Sequence, residues 1–164
     1  MKIKVEYLIL VAVIVLLSLY LVLHKTDKTH YQLPELPPLV TDNLSKLEII
    51  QPETTLTLVK AGDRWEISPQ GYPVAANRIQ DMLKALEGHT LTAMVSESKN
   101  YERDDLQADT RIRVQAWSGD MVQRDFEIGK AASSFRHTFL KLAGDDRVYH
   151  ARENFRPKFE QTIE

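Results

Sequence analysis

The pattern of apolar and polar positions changes twice along this chain. Residues 7–23, YLILVAVIVLLSLYLVL, carry no charge and present no polar face. A run of about 17 such residues is at the short end of what crosses a bilayer as a helix. Lys2 and Lys4 precede it, Lys25 and Lys28 follow it, and Tyr7 and Tyr20 lie toward its ends, where amphipathic rings favour the interface. A core helix is seldom apolar on every side. A cleaved leader would offer small residues at its cleavage site, and LYLVLHKTDKTHYQL contains no Ala-x-Ala-like pair. The pattern predicts an uncleaved transmembrane signal anchor over 7–23, with residues 1–6 as a cytoplasmic tail. Basic residues tie at two on each side, so orientation rests on the usual cytoplasmic placement of a short basic tail ahead of a first span. The expected location is a bacterial inner membrane, single-pass, with the C-terminal domain in the periplasm.

Residues 24–43, HKTDKTHYQLPELPPLVTDN, are too polar for a core and too rich in proline for a helix. LPELPPL favours extended polyproline geometry at roughly 3.1 Å per residue. This segment is expected to be a stalk holding a domain clear of the headgroups.

From Leu44 onward the period shortens. SKLEIIQ and TTLTLVK are β-rich, and AGD turns the chain into RWEIS. Leu56 and Leu58 should share a core with Trp65 and Ile67. In GYPVAANRIQDMLKALEGH, residues Ala75, Ile79, Met82, Leu83 and Leu86 form one helical stripe, with Pro73 suited to the first turn and Gly88 to the C-terminal cap. TLTAMVSES reads as a strand and KNYERDDLQAD as a polar loop or single helical turn. TRIRVQAW and VQRDFEIG form a hairpin around SGD, with Ile112, Val114, Ala116, Phe126 and Ile128 inward. A last hairpin, FRHTFLKLA to RVYHA, turns at GDD. RENFRPKFEQTIE reads as a short terminal helix that Pro157 starts or interrupts. Residues 44–164 are therefore expected to be an α+β domain, a mainly antiparallel sheet with one packed amphipathic helix and a short C-terminal helix. VKAGDRWEI and KLAGDDRVY echo each other, although Gly-Asp is too common a turn pair to establish a repeat.

Composition narrows the function classes. A formal net charge of −2 and a pI near 6.2 leave no clustered basic footprint for nucleic acid. With no cysteine there are no disulfides, thiolate metal sites or thiol nucleophiles.

Candidate chemistry is thin. EIGKAASS places Gly-Lys near serines, but a phosphate loop needs a glycine at position 124, which is Arg. If Gly144-Asp145 centres the last hairpin, position 150 faces 139, and His137 lies diagonal to His150 on the same sheet face. Two imidazoles could share a metal there, but no third ligand is close in sequence, and packed strand histidines are the commoner case. Ser133, Ser134, His137 and Asp125 could be assembled into a triad only on paper. GDD and RDD lack the alternating ligand spacing of a calcium loop. Trp117 shares strand parity with Arg111 and Arg113, opposite the apolar face. An outward Trp beside two arginines fits a partner-binding surface; alternatively, the terminal helix covers that face.

LVKAGDRWEIS, GYPVAANRIQDMLKAL, YERDDL, FEIGK and LAGDDRVYHA, in this order over about residues 44 to 155, resemble the bacterial domain-of-unknown-function family four-three-four-zero. The resemblance implies an extracytoplasmic α+β domain behind an N-terminal span. It also implies an association with ABC-type transporter subunits, including those of the gliding-motility type. No catalytic residues come with it.

The expected function is a non-enzymatic, membrane-tethered accessory or assembly subunit of an envelope complex, needing no cofactor or metal. Its partners are the membrane and an integral membrane protein such as an ABC transporter permease. Docking would use Arg111, Arg113 and Trp117 or an open strand edge. The alternative is a periplasmic sensor module for a small ligand or glycan, which would carry a pocket with convergent polar groups.

Overall fold

The computed structural model describes residues 5–23 and 31–160. Most of the expected cytoplasmic tail and the first seven residues of the expected stalk, 24–30, therefore lie outside the described residues. The chain divides into two compact units, Met1–Gln32 and Leu33–Glu164.

In the first unit, α1 spans Val5–Leu23. Its described side chains, those of Tyr7 and residues 9–20, are all exposed. Among the described residues no helix is long and apolar enough to cross a membrane. Those side chains alone also fall short of the ~20 apolar residues that a span takes.

The second unit is the expected α+β domain. Its strands are β1 (Lys46–Ile50), β2 (Thr55–Ala61), β3 (Arg64–Ser68), β4 (Tyr72–Pro73), β5 (Leu91–Ser96), β6 (Ile112–Ser118), β7 (Met121–Ala131), β8 (His137–Leu142) and β9 (Val148–Arg152). They form one antiparallel sheet in the order β4-β3-β2-β1-β6-β7-β8-β9-β5. Period-2 alternation sets one face inward. Register then aligns Leu56, Ile49, Val114, Phe126 and Leu142 in a single row across five strands. Each fully buried side chain of this size contributes roughly 1.5–3 kcal/mol, so the row fixes the register: a one-residue slip would expose all of it.

Two helices cover this inner face. In α2 (Ala76–Glu87), Ile79, Met82 and Leu86 are buried, and Gly88 donates its N–H to the Lys84 carbonyl. Pro73 is not in the first turn of this helix, as its spacing suggested. It lies in β4 opposite Glu66, where the missing N–H suits a sheet edge, and Ala75 takes the N-cap position. In α3 (Arg156–Phe159), Pro157 sits in the first turn, and Phe159 is buried in the same core as Leu47, Ile49 and Leu86. The terminal helix thus packs inward and does not cover the face that carries Trp117.

The domain also begins earlier than Leu44. Leu39 is buried, and Leu33 and Leu36 pack against the core, so the proline-rich segment from Leu33 onward belongs to the domain. Its leucines recur every three residues, which in an extended left-handed path places them on one side. The guanidinium of Arg124, buried on the inner face, donates to the Pro37 carbonyl and anchors the segment.

The sheet centre divides the domain into halves with the same order of elements. From β1 the chain runs outward through β2, β3 and β4 to α2; from β6 it runs outward through β7, β8 and β9 to α3. Because β1 and β6 are antiparallel neighbours and both helices lie on one face, the halves match about an axis through the sheet centre. The two Gly-Asp turns do not correspond under this match. Gly62-Asp63 joins β2 to β3, whereas Gly144-Asp145 lies between β8 and β9. The sequence echo and the topological one are separate.

Candidate functional site

The outer face of the sheet centre is built by alternation in β6 and β7. Arg113 and Gln115 point away from the core beside Asp125 and Glu127. Arg113 donates to both oxygens of Asp125, Nε at 2.9 Å and Nη2 at 2.7 Å, and Gln115 Nε2 adds a third bond at 2.8 Å. Arg111 and Lys141 each approach Glu127 at 3.1 Å. Lys46 pairs with Glu48 at 3.1 Å and lies 4.1 Å above the Trp117 ring, a cation–π contact. Burial alone would push the Asp125 carboxyl up. The bonds from Arg113 and Gln115 and the Arg113 charge outweigh that and hold it below its ordinary value.

The structure therefore brings Arg111, Arg113 and Trp117 onto one uncovered face, as their parity predicts. It also engages both arginines with β7 carboxylates, which the sequence did not reveal. Lys46, Glu48, Arg111, Arg113, Asp125, Glu127 and Lys141 are thus mutually paired around a half-buried Trp117.

The other candidates separate. Ser133 and Ser134 sit on an exposed hairpin tip, and Asp125 lies beside Ala143 at the far end of β8 from His137, about 20 Å away along the strand. No triad forms. Gly129 of the Gly-Lys pair lies within β7, not in a loop or at the strand end that its sequence suggested. His137 and His150 do meet on the outer face, with ring centroids 5.4 Å apart, and Phe139 lies directly opposite His150 at 4.8 Å. The hairpin arithmetic holds, although the chain between β8 and β9 runs from 143 to 147. Burial first, then the charge of His137, lowers the His150 pKa. Among the described residues no group of three or more His, Cys, Asp or Glu side chains is placed to hold a metal.

Sequence reasoning missed the buried polar residues, Arg124, His89 and Asp104 among them. Arg124 could have been found by counting back two from the inward Phe126 and Ile128. His89, packed against Phe126 and Phe155, gave no periodic signal because it follows the helix cap. Asp104 in YERDDL reads as a turn former, yet it is only 3% exposed.

No curated protein and no solved structure is significantly similar to this chain. One family model, described as a domain of unknown function, DUF4340, matches residues 65–164, from Trp65 in β3 through α3, which is 100 of the 164 residues. The chain belongs to the DUF4340 family.

Proposed function

We propose that this protein is a single-span, membrane-tethered accessory subunit of an envelope complex, with an ABC-type transporter permease as its leading partner. The observation that carries the reading is α1 together with the uncharged run 7–23 in the sequence, although the described side chains of α1 alone fall short of a span. The helix is 19 residues long, about 28 Å at 1.5 Å per residue, close to the ~30 Å hydrocarbon thickness. Its described side chains are apolar on all sides apart from Ser18 and the tyrosine hydroxyls, and all of them are exposed. Such a surface needs lipid or other helices to cover it. In the sequence, lysines flank the run on both sides. The domain beyond it acts through contacts rather than catalysis, docking by the Arg111–Arg113–Trp117 face, which no helix of the domain covers.

The test is crosslinking in intact cells, then purification of the full-length protein in mild detergent and mass spectrometry. The expected result is retention in the membrane fraction after alkaline carbonate, release on deletion of residues 1–23, and near-stoichiometric recovery of a permease and its ATPase. Trp117→Ala should reduce that recovery without releasing the protein from the membrane. Carbonate extraction of the intact chain, or recovery of the protein alone, would sink the reading.

A further inference from the structure

A cavity of about 330 Å³ lies on the outer face near β5 and β9, lined among others by Ser98, Asn100, Arg103, Asp104, Phe139 and His150. That volume is at the lower end of the range of small-molecule sites. Its walls are fixed. Tyr101 donates its hydroxyl to the Asp146 carbonyl at 3.1 Å, Lys99 pairs with the Asp146 carboxylate, and Leu106 is fully buried. The backbone of Asp104 lies directly against Gly129 of β7.

We propose that this cavity binds a neutral, hydroxyl-rich small molecule the size of one sugar ring, with Asp104 accepting hydrogen bonds from its hydroxyls. Asp104 lines the cavity and as a residue is 3% exposed, and among the described residues its carboxylate receives no hydrogen bond and joins no ion pair. Its oxygens are not among the fully buried side-chain atoms that lack a partner, so they stay accessible as acceptors for a donor that enters the cavity. His150, across the cavity, is also incomplete: its Nε2 is buried without a partner.

Charge selects the ligand class. Arg103 and Lys130 act on Asp104 from nearby, and His150 is held toward its neutral form. A cation drawn to Asp104 would meet the two basic groups, and an anion drawn to them would meet the carboxylate. A polyol satisfies both without a net charge. Its hydroxyls donate to Asp104 and accept from Arg103 and Asn100, while Phe139 offers an apolar surface to a C–H face.

The experiment uses the full-length protein in detergent and reads thermal stability with glucose, galactose, N-acetylglucosamine or myo-inositol, against arginine and citrate as charged controls. At least one neutral compound should raise the melting temperature by about 5 °C at concentrations well above its Kd. Asp104→Asn keeps the shape but loses the charge, so it should weaken that binding about tenfold or more. The variant's own melting temperature should match or exceed that of the wild type, because burial of the residue disfavours the charged form and that charge has been removed. The proposal is overturned if none of the neutral compounds stabilises the protein, if only a charged control does, if Asp104→Asn binds equally well, or if it melts lower than the wild type in the absence of ligand.

Discussion

Asp104 and Gly129 meet backbone to backbone: a Cβ placed on Gly129 would fall well inside contact distance of the Asp104 carbonyl oxygen and at 3.0 Å from the Leu106 side chain. The glycine is needed for this approach and not for a turn. Gly129→Ala should lift the segment around Asp104 off β7 and cost at least about 1–3 kcal/mol, the usual range for overpacking. The midpoint of urea denaturation reads the effect. An unchanged midpoint would mean that the loop gives way freely and is no fixed wall.

His89 makes the domain acid-sensitive. It is packed between Phe126 and Phe155, and both ring nitrogens lack partners. Burial first, and the Arg124 charge second, bring its pKa down to about 4 from 6.5. The folded value lies below the unfolded one, so the unfolded chain takes up a proton first as pH falls. Stability is therefore whole above about pH 6.5 and declines down to about pH 4, by at most ~3 kcal/mol at 1.36 kcal/mol per unit. His89→Phe should flatten the stability–pH curve in this window and leave the steeper carboxylate losses at lower pH. Parallel curves for wild type and variant between pH 6.5 and 4 would rule His89 out as the source.

What the sequence disclosed and what it hid divide along physical lines. Alternation made the inward rows legible, since Ile112, Val114, Phe126 and Ile128 repeat with the strand period, and the 3.6-residue stripe gave α2 its buried Ile79, Met82 and Leu86. Hairpin arithmetic placed His150 opposite Phe139. Sheet order was not legible, because β5 joins the far edge beside β9 after an intervening helix, and no local pattern encodes that. Nor was the role of Asp104, whose burial arises from a contact with a glycine 25 positions away. The proline-rich segment misled for a related reason. Polyproline propensity describes a free chain, whereas Leu33, Leu36 and Leu39 find a groove that only the folded sheet supplies.

The outer face yields a coupling test. Asp125→Ala strips partners from both Arg113 and Gln115, and should cost about 1–3 kcal/mol. Arg113 is more than a third exposed, so solvent screening limits the pair itself to about 1 kcal/mol, the top of the range for surface pairs. A double-mutant cycle with Arg113→Ala isolates that term. If the coupling is near zero, the network is decoration. In that case the arginines are held for a partner by geometry alone, and removing Asp125 should disturb partner recovery more than stability.

Arg124 separates the stability of the sheet from that of the proline-rich segment. Its guanidinium is buried on the inner face, donates to the Pro37 and Gln123 carbonyls, and leaves Nε unpartnered. Burial pushes its pKa down, a sign that the charge is held at some cost. Arg124→Met keeps the apolar stem and removes both the charge and the anchor. The sheet should melt at the same temperature or higher, because an incompletely satisfied buried cation is gone. Locally the effect reverses: Leu33, Leu36 and Leu39 keep only their apolar contacts, so the segment opens more often. Cleavage by a glutamate-specific protease after the exposed Glu35 should speed up about fivefold or more, with Arg136→Met at an exposed hairpin tip as the control. A lower melting temperature together with unchanged cleavage would assign Arg124 to the sheet core and leave the segment held by its leucines.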